Sequence, residues 1–119
     1  MNFPDARIYK ITCNITNKIY IGSTCSSNLK KRLDMHANSY TAYMKGNYHY
    51  LSSFDVLEHG DYRIDLLQIV ENCHYKSVLY VHERFHIQNT VNCINRNVAG
   101  RGHAECMHNY RLKVRNNIN

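Results

Sequence analysis

The sequence predicts one α/β domain, more narrowly α+β, whose elements follow in the order β-β-α-α-β-α with a short tail behind them. Three observations predict it: strand-like alternation near the N-terminus, helical spacing of apolar residues in later segments, and a length of 119 residues. Domains commonly hold roughly 100 to 150 residues, so a second core is not expected. We therefore divide the chain into a domain over residues 1–100 and a basic tail over residues 101–119.

The N-terminal segment predicts a β-hairpin. Residues 7–13 and 18–22 are rich in β-branched and aromatic side chains, and the polar segment 14–17 separates them. Short strands around a polar turn are typical of a hairpin. Alternation places Tyr20 and Gly22 on one face of the second strand.

A helix is predicted to begin near Ser27, because apolar and basic side chains then recur at helical spacing, at Leu29, Arg32, Leu33 and His36. Arg32 and His36 are four residues apart, so they project from one helix face and can reach a common ligand. The following residues, 38–50, have no clear period and carry four tyrosines. We expect a loop there, with its tyrosines either packing on the domain or stacking on nucleic acid.

Three further elements are expected in the second half of the domain. Residues 51–59 predict a short helix that ends at Gly60. Residues 62–70 alternate as a third strand. From Tyr75 to about Gln88 a last helix is predicted, with an apolar stripe made of Val78, Leu79, Val81, Phe85 and Ile87.

The charge of the chain indicates a polyanionic partner. Fifteen Lys+Arg against nine Asp+Glu leave a formal charge of +6, which favours nucleic acid first and an anionic membrane surface second. No apolar run approaches the roughly 20 residues that span a bilayer, and no apolar signal-peptide core is visible at the N-terminus. We expect a DNA-binding protein with no membrane partner.

The residue usage suggests where the protein resides. Five cysteines form an odd set without a CxxC pair, which argues against a disulfide framework and favours a reducing compartment. The expectation is a soluble, intracellular protein. Fifteen asparagines and ten each of isoleucine and tyrosine are typical of an AT-rich genome, such as that of a virus or mobile element.

Four short motifs follow one another along the chain. They are Arg7-Ile8-Tyr9, Tyr20-Ile21-Gly22 after a spacer of ten residues, the helical pair Arg32 and His36, and Glu83 with Asn97 behind it. In this order the sequence resembles the GIY-YIG nuclease family over roughly residues 6–99. The resemblance implies the GIY-YIG fold, a small three-stranded antiparallel sheet flanked by helices. It departs from the family pattern at Arg7, where the name of the motif requires glycine.

The resemblance also implies a function and a set of site residues. The function is that of a DNA endonuclease that hydrolyses phosphodiester bonds with one divalent metal ion. Glu83 would be the metal ligand, Arg32 the phosphate clamp, and Tyr9 the group that orients or deprotonates water. Tyr20 and His36 would give acid/base or phosphate contacts, while Gly22 and Asn97 would support the site.

Phosphodiester hydrolysis requires side chains of these types. Phosphodiester hydrolysis needs an in-line water, neutralisation of the phosphate charge, and help for the departing oxygen. A phenol with a reference pKa near 10 is a poor base at pH 7, so Tyr9 could act only if nearby cations or the metal stabilise its phenolate. The candidate cations are Arg7, Lys10 and Arg32. A metal held by one carboxylate takes its other ligands from water and DNA, which suits Mg²⁺ or Mn²⁺.

Two other functions stay open on the sequence. The segment His82-Glu83-Arg84-Phe85-His86 satisfies HExxH, in which two histidines one turn apart bind the zinc of a metallopeptidase and the glutamate is the general base. No metzincin continuation follows His86, and a peptidase would leave the first half of the chain without a role. A nucleic-acid-binding module without catalysis would follow if Arg7 disables the site.

Basic residues outside the motifs are candidate DNA contacts. They are Lys31 and the tail residues Arg101, Arg111, Lys113 and Arg115. A tail of about twenty residues is too short for a second reader domain. Target choice would then be weak, would come from a homodimer whose two cores read one site, or would come from another protein.

Overall fold

Six elements make up residues 3–95, the part of the chain that this computed structural model describes. They are β1 (Arg7–Cys13), β2 (Ile19–Thr24), α1 (Leu29–Met44), α2 (Phe54–Leu57), β3 (Tyr62–Ile69) and α3 (Lys76–Gln88). The predicted order β-β-α-α-β-α and the α+β class are therefore confirmed. None of the helices in these residues is long and apolar enough to cross a membrane.

The sheet has the strand order β2-β1-β3, and both outer strands run antiparallel to β1. The hairpin turn holds Asn17 at a φ of 66°, a left-handed conformation that asparagine tolerates. Successive side chains of a strand point to opposite faces. Because Ile8 and Tyr9 are both fully buried, the central strand is covered on both of its faces.

Each face of β1 carries its own hydrophobic cluster. On one face, Ile8 packs in a cluster with Leu79 of α3. On the other face, Tyr9 and Ile11 pack with Phe54 of α2, and residues of α1 complete this second cluster. The helix that carries Glu83 and the helix that carries Arg32 thus approach the sheet from different sides.

A bulge interrupts the pairing of β1 with β3. Tyr9 pairs with Leu66 and Ile8 pairs with Gln68, so Leu67 is an extra residue on β3. As the cross-strand partner of Ile8, Gln68 lies on the α3 side of the sheet, and Leu67 packs against the cluster on that same side. Leu67 and Gln68, two consecutive residues of β3, therefore both lie on the face of the sheet that α3 covers.

The predicted loop over residues 38–50 is wrong for its first half, because α1 continues to Met44. The physical reason is tertiary packing, which overrides weak local propensity. Tyr40 and Tyr43 lie three residues apart on α1 and both contact the Phe54 ring, at centroid distances of 5.4 and 5.1 Å. Tyr50 contacts the same ring. These three tyrosines pack the domain, as one of the two interpretations expected.

The predicted helix over residues 51–59 is also shorter than expected, since α2 covers only Phe54–Leu57. Serines disfavour helix interiors because their hydroxyls bond elsewhere. Ser53 makes such a bond, with the ring of His36. Gly60 follows the helix at a φ of 73°, which fits the predicted glycine stop.

The predicted apolar stripe of α3 is wrong for three of its five residues. Val78, Val81 and Phe85 are exposed, with 60% and 59% of the last two side chains accessible. They lie on the side of α3 away from the narrow sheet. The inward face instead repeats every four residues, with buried Leu79, half-buried Glu83 and half-buried Ile87. An acidic residue is therefore in the middle of the buried face.

Candidate active site

Tyr9 lies at the centre of a polar cluster inside the second hydrophobic cluster, although it is fully buried. Its cross-strand partner is Gly22. A Cβ atom added to Gly22 would come within 2.5 Å of Tyr9 Cζ, closer than any carbon contact allows. The glycine of β2 therefore makes room for the ring of Tyr9 to pass over the strand.

Two residues of α1 hold the Tyr9 hydroxyl. Arg32 Nε donates to Tyr9 Oη at 3.1 Å, and Tyr9 Oη is 2.8 Å from His36 Nε2. The other ring nitrogen of His36 lies 3.0 Å from Ser53 Oγ. Arginine can only donate, so the phenol accepts from Arg32 and its own proton is available to His36. Arg32 and His36 thus share one face of α1, as predicted, and both contact the hydroxyl oxygen of Tyr9 on β1.

His36, which links Tyr9 to Ser53 by hydrogen bonds, is uncharged at neutral pH. Burial, and after it the Arg32 cation, lower the pKa of His36 to about 4. The imidazole is therefore neutral at pH 7, and its hydrogen-bond partners assign Nε2 as the acceptor from Tyr9 and Nδ1–H as the donor to Ser53. His36 Nε2 can therefore accept a proton from the Tyr9 hydroxyl.

Both tyrosines of the motifs are protonated at neutral pH. Burial raises the pKa of Tyr9, and the Arg32 guanidinium opposes this shift without cancelling it. Burial likewise raises the pKa of Tyr20. The rings of Tyr20 and His36 are in edge contact, with their centroids 5.4 Å apart. Of the three candidate cations, Arg32 is the one that contacts Tyr9. Arg7 turns to Asp5, donating to its carbonyl oxygen at 3.0 Å.

Glu83 reaches the same cluster from α3. Burial raises the pKa of its carboxyl group, while the Ser23 hydroxyl that hydrogen-bonds it and the Arg32 cation oppose the shift. The charge of Glu83 also raises the pKa of Tyr9 and of Tyr20. The acid predicted from the fourth motif is therefore electrostatically coupled to the residues of the first three.

The donor atoms around Glu83 fit a hard divalent cation. A desolvated carboxylate gains from a positive charge, and the neighbouring Ser23 offers a second oxygen. Among residues 3–95 no group of three or more His, Cys, Asp or Glu side chains could hold a metal ion. An ion at Glu83 must then keep water or substrate oxygens as its other ligands, as Mg²⁺ commonly does.

Two clefts flank Arg32. The larger, of about 350 Å³, is lined by Thr24, Cys25, Ser26, Lys31, Arg32 and Met35. The smaller, of about 170 Å³, is lined by Arg32, Met35, His36, Ser39, Tyr48 and Leu51. Lys31 thus lines the larger cleft together with Arg32. Tyr48, unlike the three packing tyrosines, faces the smaller cleft and stacks on His49.

The decisive observation comes from comparison with known proteins. A family model of the GIY-YIG catalytic domain matches residues 6–97. This chain belongs to the GIY-YIG family. It therefore carries an endonuclease domain of a family whose members bind DNA and generally use a divalent metal ion.

The GIY-YIG fold is also found among solved structures. A glutamate-to-alanine mutant of the catalytic domain of intron endonuclease I-TevI is similar at a TM-score of 0.56 and 22% identity, covering 82% of this chain and 98% of that chain. At this identity the likeness concerns the fold, and it agrees with the three-stranded antiparallel sheet flanked by helices. No curated protein matches the chain.

The HExxH segment of this GIY-YIG domain is not arranged as a zinc site. His82 Nδ1 lies 3.1 Å from Gln68 Nε2, and His86 Nε2 lies 2.9 Å from Gln68 Oε1. Both imidazoles thus bond one amide on β3, whereas Glu83 bonds Ser23 on β2. A zinc peptidase needs both rings on the metal and the glutamate beside it. The HExxH pattern therefore arises here without both histidines and the glutamate facing one metal position.

An asparagine that the sequence analysis missed braces β2. Asn95 Nδ2 donates to Ile21 O at 2.7 Å, and Asn95 Oδ1 accepts from Ile21 N at 2.9 Å. Together with the bridge between Ile19 and Cys93, this amide continues the hydrogen bonding of the β2 edge. Ser23, which hydrogen-bonds Glu83, and Ser53, which contacts His36, are the other site residues that the sequence analysis missed. A single asparagine or serine in a loop is by default a turn residue, so no sequence signal separates either from its neighbours.

The predicted site residues thus divide into two groups. Tyr9, Tyr20, Gly22, Arg32, His36 and Glu83 come together, with Lys31 at the cleft beside them. The predicted support residue Asn97 and the predicted DNA contacts Arg101, Arg111, Lys113 and Arg115 lie outside the described residues.

Proposed function

We propose that this domain hydrolyses DNA phosphodiester bonds with a water molecule activated by Tyr9, a phosphate held by Arg32 and a divalent ion held by Glu83. The observation that carries the proposal is the Tyr9 hydroxyl, which Arg32 and His36 contact at 3.1 and 2.8 Å. A phenol with a cation on one side and a neutral imidazole on the other can pass a proton on.

Tyr9 need not become a free phenolate in this scheme. Tyr9 is buried in the free protein, so the proposal requires that bound substrate brings the attacking water to Tyr9 Oη. As Tyr9 Oη takes a proton from that water, it gives its own proton to His36 Nε2, so the phenol is neutral before and after the transfer. His36 is a weak base in the free protein because burial and Arg32 disfavour its charged form. A phosphate bound at Arg32 would offset that cation, and the imidazole would then accept the proton more readily.

Arg32 has donors to spare for the phosphate. A guanidinium carries five N–H groups, and Tyr9 takes one of them through Nε. Two clefts meet at this side chain, so DNA can approach from either side of it. Positive charge held at the phosphate stabilises the transition state and costs no reorganisation during the reaction. We assign Tyr20, with its raised pKa, as a neutral hydrogen-bond donor beside this position.

Glu83, with Ser23, would hold the divalent ion. The oxygen donor set favours Mg²⁺ or Mn²⁺. When bound, such an ion supplies positive charge to the phosphate and to the departing 3′ oxygen. Gly22 supports the site by leaving space for Tyr9, and we propose a bracing role for Asn97 as well.

The DNA is proposed to extend from the clefts over the basic surface. Lys31 is at the rim of the larger cleft, and Arg101, Arg111, Lys113 and Arg115 of the tail would add phosphate contacts. In this scheme residues 1–100 cleave and residues 101–119 bind. A homodimer that reads two half-sites, and an origin in an AT-rich virus or mobile element, stay predictions from the sequence.

A plasmid assay tests the proposed function. The protein is incubated with supercoiled plasmid in Mg²⁺, in Mn²⁺ and in EDTA, and nicked and linear products are separated on a gel. We expect cleavage with either ion, none in EDTA, and none from Glu83→Ala. Glu71→Ala is the matched control, because Glu71 is an exposed glutamate outside the site.

The two outcomes that would contradict the proposal differ from each other. DNA binding without cleavage in any ion would indicate the non-catalytic binding module. Cleavage by Glu83→Ala to within a few-fold of the unmodified protein would remove Glu83 from the metal role, because losing a transition-state charge costs about 10²-fold or more.

A further inference from the structure

Gln68 joins β3 to α3 through two histidines that the hydrolytic mechanism does not use. Its amide lies 3.1 Å from His82 Nδ1 and 2.9 Å from His86 Nε2. The two histidines are four residues apart and so share one face of α3. With the amide oriented by these contacts, Gln68 Nε2 donates to His82 and Gln68 Oε1 accepts from His86. A side-chain amide can make both contacts at once, because its nitrogen donates and its oxygen accepts.

The bulge in β3 is what aims Gln68 at the helix. Without the extra residue Leu67, the alternation that pairs Leu66 with Tyr9 would turn residue 68 to the opposite face of the sheet. With the bulge, Gln68 pairs with Ile8 and serves the α3 side. Bulges often re-aim a side chain near a functional site.

The histidines bonded by Gln68 flank Glu83 on α3. His82 is its neighbour in sequence, and His86 follows within one turn. Apart from Leu79, no residue of α3 is fully buried, so few apolar contacts fix how far the helix is rotated against the sheet. The hydrogen bond of His82 on one side of Glu83 and that of His86 on the other are directional, and together they fix that rotation. The rotation decides whether the carboxylate points at Ser23 and Arg32.

From this geometry we infer that Gln68 is a positioning residue, which holds α3 through His82 and His86 so that Glu83 is presented to the metal and phosphate. The inference rests on the proposed function. Gln68 touches neither the substrate nor the reacting atoms. It acts on catalysis only through the orientation of α3, as the outer partners of metal ligands do.

A double-mutant cycle tests the inference in the full chain. The variants are Gln68→Leu, which keeps the volume but removes both hydrogen bonds, the pair His82→Ala with His86→Ala, and the combination of all three. We measure single-turnover cleavage of plasmid at saturating protein over a Mg²⁺ series, and DNA affinity in EDTA by fluorescence anisotropy.

We expect Gln68→Leu to slow cleavage about 10-fold to 100-fold and to raise the Mg²⁺ concentration at half-maximal rate, because a metal ligand that loses its support commonly costs that much in activity or metal affinity. DNA affinity should stay within about twofold, since no phosphate contact is removed. The combined variant should be no slower than the slower of the two parents, because the residues act as one unit.

The controls separate position from stability. Gln88→Leu is the matched change at the exposed end of α3 and should cleave like the unmodified protein. Urea midpoints show which variants are folded, and if Gln68→Leu unfolds, His86→Ala alone carries the test with the same expected split between rate and affinity. Unchanged cleavage by folded Gln68→Leu overturns the inference, and so do additive losses in the cycle. Absence of cleavage by the unmodified protein would instead contradict the proposed function, and this inference with it.

Discussion

At the scale of single residues, the proposed mechanism depends on how the environment of Tyr9 could let a phenol take part in proton transfer at neutral pH. Burial raises the pKa of Tyr9 further, which makes a resident phenolate unfavourable. The neutral His36 at 2.8 Å removes the need for one. The sequence predicted both residues and a cation beside Tyr9, and Arg32 lies there. The neutral state of His36 depends on burial, which no local pattern reveals.

Tyr9→Phe isolates the hydroxyl group, because the ring that fills the space over Gly22 is kept. We expect single-turnover cleavage to fall about 10²-fold to 10⁴-fold, the usual contribution of a positioned proton-transfer group. DNA affinity in EDTA should change little. Tyr62→Phe is the matched control, since Tyr62 packs against the same cluster. Equal losses in both variants would show that the effect comes from packing and not from the proton.

His36 should make stability depend on pH in a definite direction. Its folded pKa of about 4 lies below the ordinary value of 6.5, so the unfolded chain binds the proton first as the pH falls. This contribution to stability is fully present above pH 6.5 and is lost as the pH falls toward 4. It should amount to roughly 2–3 kcal/mol.

Urea unfolding at pH 7 and at pH 4.5 measures this contribution. The unfolding free energy should drop less between the two pH values for His36→Gln than for the unmodified protein, whose His36 must stay neutral while buried. His59→Gln, at a half-exposed histidine, should keep the full pH dependence. If His36→Gln keeps it too, His36 is not the group responsible.

At the scale of elements, local patterns were sufficient to predict the strands, because the alternation of side chains is a property of each strand's own sequence. The hairpin and the third strand follow from alternation, and they were predicted within one or two residues. The end of α1 and the inward face of α3 were not predicted, since both depend on what the helix packs against. Asn95 reaches Ile21 across 74 residues of sequence, and a contact at that separation leaves no mark on either neighbourhood.

The second half of α1 should depend on Phe54. Tyr40 and Tyr43 pack on this ring, so Phe54→Ala should destabilise the protein by about 3–5 kcal/mol. Residues 38–44 should lose amide-exchange protection before the rest of α1 does. Phe85→Ala, at a ring 59% exposed, is the control and should cost far less. Uniform loss of protection along α1 would show that the helix does not need this packing.

At the scale of the whole molecule, we expect DNA cleavage and DNA binding to depend on different parts of the chain. The charge of +6 is spread over the chain, while the polar cluster at Tyr9 uses one arginine and one acid. A domain of this size can hold a catalytic cluster without holding the surface that sets affinity. The tail is where the two functions can be tested apart.

Two variants of the tail test this division. One ends the chain after Gly100, and the other keeps full length but replaces Arg101, Arg111, Lys113 and Arg115 with glutamine. If the four cations contact phosphates, both variants should weaken DNA binding, and each lost contact should reduce the slope of log K against log salt by about 0.9. Cleavage at saturating protein should survive in both, because Tyr9, Arg32 and Glu83 all precede the change.

The alternative is that the tail packs through an apolar stripe of Met107, Tyr110, Leu112 and Val114. Truncation would then lower the urea midpoint or change the mass measured by light scattering, whereas the glutamine variant would do neither. The salt slope would be nearly unaltered in both proteins. Both variants lack the four cations, and the full-length variant keeps the apolar residues. A difference between them in urea midpoint or in mass therefore assigns the tail to packing or to a second subunit, whereas weaker binding and a reduced salt slope in both, without such a difference, assign the tail to DNA.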